Sequence, residues 1–148
     1  LFARTILDEK NGPPPEVNLF NEKNNGESIL NLIDKGYVKS AHDISLGGLL
    51  VAISKMCIKG NKGIKINKSK NLINEIEYFF AEDQGRYLIE VNKKDLKEVT
   101  KILNKNSVHH EELGIITQND MIINEKTKVT IDELKSYYTN WLTNYMSA

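Results

Sequence analysis

Two short polar runs hold the residue types from which a ligand site could be built. The first is "HDISLGG", residues 42–48, where Asp43 and Ser45 lead into Gly47 and Gly48 and then into an apolar helical pattern. A carboxylate at a strand end is a hard oxygen ligand of the kind magnesium takes. A capped helix start exposes backbone amides to an anion, and glycines let a phosphate or another backbone come close. The same run also reads structurally, with the glycines allowing tight helix–sheet packing and Asp43 capping a turn. Its spacing is not that of a Walker motif. The second run is "EDQGR", in which Glu82, Asp83, Gln84 and Arg86 surround a bend at Gly85. Two carboxylates, an amide and a guanidinium could bind Mg²⁺ and a polar substrate. They could equally be a solvated loop with an internal acid–arginine pair.

Other tempting residues are better read as structure. His109 and His110 are adjacent, and neighbours on a strand face opposite ways, so they do not form a ligand pair. Cys57 lies between Met56 and Ile58 and reads as a buried, inert thiol. Tyr137, Tyr138, Trp141 and Tyr145 near the C-terminus read as packing rather than as a stacking platform. No Gly-x-Ser-x-Gly, Cys-x-x-Cys or Rossmann glycine pattern occurs, and no catalytic residue is assigned.

The elements that must position these runs follow from periodicity. "LFARTILDEK" predicts a short helix ending at Asn11-Gly12. Pro13, Pro14 and Pro15 then predict an extended linker, the best boundary in the chain. Residues 1–20 are thus expected to be the tail of a preceding domain plus linker, and residues 21–148 a domain. A helix is expected from Glu22 to Lys35, carrying Ile29, Leu30, Leu32 and Ile33 and stopped by Gly36. "YVKSAHD" predicts a strand with Val38 and Ala41 set against polar positions. Ser45 is expected to cap a helix that buries Leu49, Leu50, Ala52, Ile53 and Met56 and ends at Gly60. "GIKI" and "RYLIEV" read as strands, the latter with Tyr87, Ile89 and Val91 on one face, and "LINEIEYFF" as a short helical or irregular approach. A helix follows from Asp95 to Lys105, then short strands at "ELGIIT", "MIIN" and "KVT". A last helix from Ile131 to about Asn144 is opened by a Thr130/Glu133 capping box. The sum is an α+β fold, helices packed on one face of a mixed or antiparallel sheet.

Size and charge agree with one globular unit. The chain has 148 residues, 40% hydrophobic and 27% charged, enough for a core without disulfide staples. Twenty basic and twenty acidic residues cancel, so no global field draws it to nucleic acid or an anionic membrane. A single cysteine, no long apolar run and no signal-peptide pattern predict a cytoplasmic protein. Because it begins with Leu1, the chain is expected to be a piece of something longer.

In order, "GPPPEVNL", "VKSAHDISLGGLLVAISKM", "FFAEDQGRYLIEV", "LGIIT" and "IDELKSYYTNWLTNYMS" resemble the C-terminal end of the phosphoribosylformylglycinamidine synthase family. That family belongs to the aminoimidazole-ribonucleotide-synthetase-like superfamily. The resemblance implies an α/β sandwich-like C-terminal domain of the second of two fused repeats. It implies an ATP- and Mg²⁺-dependent ligase that makes formylglycinamidine ribonucleotide in purine biosynthesis. The implied partners are the rest of the synthase chain, a glutaminase subunit that supplies ammonia and a small accessory subunit. By analogy with the first repeat, Asp43 would ligate magnesium, and Glu82, Asp83 and Gln84 would contact substrate, with Ser45, Gly47, Gly48 and Arg86 beside them. In the second repeat the equivalent site is generally the non-catalytic one. Leu46 replaces the usual aspartate there, which makes a metal cluster less expected, so the fragment alone is expected to be inactive. Selenophosphate synthetase, thiamine-monophosphate kinase and the hydrogenase maturation ATPase share the domain type and stay open as alternatives. So does a free-standing binding or scaffold module.

Overall fold

The computed structural model describes residues 1–10, 12–66 and 74–147. These form two compact units, residues 1–10 and 12–52 with 74–111, and residues 53–66 with 112–147. Residues 1–10 and 12–20 fall in the same unit as residues 21–52.

The first unit contains α1 (Phe2–Thr5), α2 (Leu19–Asp34), β1 (Val38–Asp43), α4 (Glu75–Phe80), β3 (Tyr87–Val91) and α5 (Leu96–Lys105), with the first turn of α3 (Gly48–Gly60). The helix expected over residues 1–10 is only one turn long, too short to propagate without tertiary support. Helix α2 starts three residues earlier than expected, because the Asn18 side chain accepts the amide of Asn21 and caps it. It stops as the sequence requires: Gly36 takes φ +73°, and Tyr37 and Gly36 donate to the carbonyls of Leu32 and Ile33. Ser107 closes α5 with the same pattern, despite its Cβ.

β1 and β3 pair antiparallel, with His42 opposite Leu88 and Asp43 opposite Tyr87. Leu32, Val99 and Leu103 form the core over this pair, packed by Tyr37, Val38, Ile89 and Val91. Packing sets the faces of α2 and β1, and on β1 it corrects the expected setting of Ala41. Helix α2 buries Ser28 and Leu32 while Leu30 and Ile33 stay exposed. On β1 the inward positions are Val38, Ser40 and His42, and Ala41 points outward. In both cases several registers of apolar residues were available, and packing against α5 and β3 selected one.

The second unit holds the rest of α3, β2 (Gly63–Ile66), β4 (Gly114–Thr117), β5 (Asp120–Ile123), β6 (Thr127–Thr130) and α6 (Ile131–Met146). Its sheet is mixed, in the order β4-β2-β5-β6, with β2 and β5 parallel and the other pairs antiparallel. Ile53, Cys57, Ile66, Met121 and Ile131 are its buried hydrophobic residues among those described. Asn124 and Glu125, both at positive φ, lie in the three-residue connection from β5 to β6, where the amide of Lys126 donates to the Ile123 carbonyl. Helix α3 runs to Gly60 as expected, but the left-handed residue that ends it is Asn61. Thr130 Oγ1 accepts the amide of Glu133, which gives the forward half of the expected capping box. Leu72 and Ile73 of "LINEIEYFF" lie outside the described residues. The α+β class holds, but among the described residues the strands make two sheets rather than one.

Candidate functional site

Pairing of β1 with β3 puts the two polar runs side by side. The carbonyl of Arg86 accepts the amide of Ile44 at 2.8 Å, extending the ladder one step past Asp43–Tyr87. The chain then turns through Ser45 and Leu46 into α3. Ser45 does not cap that helix with its side chain; its carbonyl accepts the amide of Gly48 at 2.9 Å, and the helix begins at Gly48.

Both glycines are required by this turn. Gly47 and Gly48 have φ +88° and +71°, a region that strains any residue with a Cβ. A Cβ on Gly48 would sit 2.6 Å from the carbonyl carbon of Phe80, so the start of α3 lies directly against the backbone at the end of α4. Glu82 follows that end. Its Oε1 accepts the amide of Gly47 at 2.8 Å and the ammonium of Leu1 at 2.8 Å. These hydrogen bonds, the ammonium first and the amide second, hold its carboxyl below the usual carboxylate range. Beyond it, Arg86 Nη1 pairs with Asp83 at 3.2 Å and reaches the carbonyl of Ala81.

Around these groups lies an open hollow of about 380 Å³. Asp43, Ile44, Ser45 and Leu46 form one wall, residues 82–87 the other, and Glu22 of α2 the third side. Of the expected site residues, Asp43, Ser45, Glu82, Asp83, Gln84 and Arg86 therefore meet in one place. Gly47 and Gly48 are buried beside it, serving the turn. Glu22 and Tyr87 also line the hollow and were not expected there. Glu22 is brought by α2, whose backbone passes 3.1 Å from where a Cβ on Gly85 would stand, while Asn25 Nδ2 donates to the Gly85 carbonyl at 3.0 Å. No local signal in the sequence connects residue 22 with residue 85.

The charge balance limits what the hollow can hold. Among the described residues that line it, Glu22, Asp43, Glu82 and Asp83 stand against the guanidinium of Arg86, with Arg4 acting on Glu82 from outside the lining. A bare polyphosphate would meet net repulsion there. Magnesium demands near-octahedral oxygen coordination. Among the described residues no three His, Cys, Asp or Glu side chains converge as a metal cage. Asp43 offers one exposed carboxylate, and Glu82 Oε1 is already engaged by the amide of Gly47. The residues present do not fit a resident magnesium ion; a cation here would have to arrive with its own phosphate oxygens.

Comparison with known proteins adds to this geometry. The chain is 65% identical over 146 residues to the phosphoribosylformylglycinamidine synthase subunit PurL of Pelagibacter ubique. It is 36% identical over 146 residues to the same subunit of Bartonella henselae. In each case 99% of this chain is covered, and it spans 20% of the relative's length. Among solved structures, Thermotoga maritima PurL complexed with FGAR matches with a TM-score of 0.73 at 20% identity, over 90% of this chain and 24% of that one. The same protein complexed with ADP matches with a TM-score of 0.70 at 18% identity, over 85% of this chain and 26% of that one. At those identities the likeness speaks for the fold. Residues 1–124 match the family model of the AIR synthase related protein, C-terminal domain, and the chain belongs to that family.

Proposed function

We propose that the chain is the C-terminal domain of the second repeat of a phosphoribosylformylglycinamidine synthase. That enzyme is an ATP-dependent carbon–nitrogen ligase of purine biosynthesis. The 65% identity over 99% of this chain to the Pelagibacter ubique subunit carries the reading. In the whole enzyme, the formyl amide oxygen of formylglycinamide ribonucleotide would attack the γ-phosphorus of ATP and release ADP. Ammonia would then add to the iminophosphate carbon and expel phosphate, giving formylglycinamidine ribonucleotide. The partners on this reading are the rest of the synthase chain, a glutaminase subunit and a small accessory subunit, in the cytoplasm, with no nucleic acid or membrane surface. Among the described residues no helix is long and apolar enough to cross a membrane.

Within that enzyme this domain completes the fold and does not transfer phosphate. The acidic balance of the hollow supports this role, as does Leu46 standing exposed at its rim. Candidate ligand contacts are Asp43, Ser45, Glu82, Asp83, Gln84 and Arg86, with Asp43 touching a magnesium ion carried in on a nucleotide; Gly47 and Gly48 serve the turn beside them.

The test is ADP release with formylglycinamide ribonucleotide, ATP, Mg²⁺ and ammonium. It is run on this chain, on the N-terminal remainder of the synthase, on the two mixed and on the full-length protein. Activity in the mixture and the full-length protein alone is expected. Activity from this chain by itself would overturn the completing role, and an inactive full-length protein would overturn the synthase reading. Asp43→Ala in the full-length protein is expected to lower its content of bound ADP. Unchanged content would leave packing as the only role of the cluster.

A further inference from the structure

Among the described residues, helix α6 is anchored only at its beginning. Ile131 is buried, Thr130 caps the first turn, and Lys135 Nζ donates to Asn61 Oδ1 at 2.6 Å. Beyond Lys135 every described residue is exposed, with Tyr137 at 74%, Trp141 at 62% and Tyr145 at 75%. The exposed residues are sorted by face. Tyr138, Trp141, Leu142 and Tyr145 recur at helical spacing on one side, and Thr139, Asn140, Thr143 and Asn144 occupy the other.

The composition is as telling as the exposure. From Ser136 to Ser147 there is no charged residue, in a chain that is 27% charged. Free surface helices carry charges; charge depletion with enrichment in Tyr, Trp and Met belongs to the buried centre of a protein–protein interface. Without Lys or Arg on its polar face, the helix has neither the pattern of a membrane-surface helix nor that of a nucleic-acid reader. A free helix of this length is marginal in water, so a cover is also what would hold it folded.

The match to relatives indicates which protein covers it. The family match spans residues 1–124 and leaves α6 outside, so the domain common to the family is complete without it. The synthase subunit aligns over 146 residues, reaching into α6, and this chain makes up 20% of that subunit's length. A permanent, neutral and aromatic contact suits a covalently attached neighbour better than a transient partner.

We propose that the Tyr138–Trp141–Tyr145 face of α6 is an intramolecular docking surface, closed in the whole protein by an uncharged, largely apolar patch on the remainder of the same polypeptide. This rests on the synthase reading for the existence of that remainder, but its readout does not depend on activity.

The experiment is hydroxyl-radical footprinting, read by mass spectrometry at Tyr137, Tyr138, Trp141 and Tyr145, on the full-length protein and on this chain alone. Oxidation about tenfold slower in the full-length protein is expected, as for residues at the centre of an interface. Equal rates in the two would overturn the proposal. Protection that appears in this chain alone as its concentration rises would point to a second copy and overturn it. Protection of the full-length protein only after a glutaminase subunit is added would do the same. In the full-length protein, Trp141→Asp is expected to expose Tyr138 and Tyr145 to oxidation and α6 to protease, while Trp141→Phe keeps them protected. Protection with Trp141→Asp as strong as with Trp141→Phe would count against the docking face. A full-length protein that is protected at α6 yet makes no ADP with formylglycinamide ribonucleotide would sustain the docking face and sink the synthase reading.

Discussion

The amide of Gly47 donates to Oε1 of Glu82 at 2.8 Å, joining two polar runs 35 residues apart. This bond lies between the turn into α3 and the end of α4. It occupies a carboxylate oxygen and an amide that a ligand would otherwise use.

Glu82→Gln in this chain tests, through pH, both contacts of the carboxylate, the Leu1 ammonium first and the Gly47 amide second. Because the folded carboxyl titrates below its ordinary range, its ionised form favours folding. That contribution is complete above the usual carboxylate pKa and is lost as pH falls through the depressed folded value. Urea unfolding at pH 7 is expected to show the variant less stable by about 1 kcal/mol, given partial exposure of the group. The gap is expected to shrink toward acid, and a pH-independent gap would refute the ionic origin.

Gly48→Ala distinguishes packing from ligand approach. The added Cβ meets the backbone of Phe79 and Phe80 at a positive φ, which predicts a loss of about 2 kcal/mol or more in thermal or urea unfolding. Gly60→Ala, in open space within α3, is expected to be neutral or stabilising by up to about 1 kcal/mol. A Gly48→Ala protein of ordinary stability would show that the turn does not need its glycine for packing.

Truncations on α2 read out which face is inside. Leu32→Ala removes a fully buried side chain and is expected to cost about 2–5 kcal/mol in urea unfolding. Leu30→Ala on the same helix is expected to change stability by no more than about 0.5 kcal/mol in this chain. Equal costs would mean the helix is rotated from the register described.

Cys57 is buried, and desolvation pushes its thiol up to about 11. At pH 8 only about a thousandth of it would be thiolate, so iodoacetamide should label the folded chain far more slowly than a free thiol. Rapid labelling without denaturant would contradict the burial.

Much of the fold could be read locally. The Gly36 stop, the Thr130 cap, the strands at "GIKI" and "RYLIEV" and the helix after Asp95 depend on residues within a few positions of one another, and each appears where it was expected. The sequence also supplied both halves of the hollow, since "HDISLGG" and "EDQGR" are distinctive as runs. Tertiary structure decided the rest. The pairing of Asp43 with Tyr87 made one site from two runs, α2 brought Glu22 to it, and the close approach of Gly48 to Phe80 turned the glycines to packing. It also decided that Leu32, not Leu30 or Ile33, faces the core, and that the aromatic residues of α6, expected to pack, find no cover among the described residues. The physical reason is common to these cases. Periodicity and capping are properties of neighbouring residues, whereas strand register, helix rotation and the partner of an apolar face are set by groups far away in the chain, or outside it.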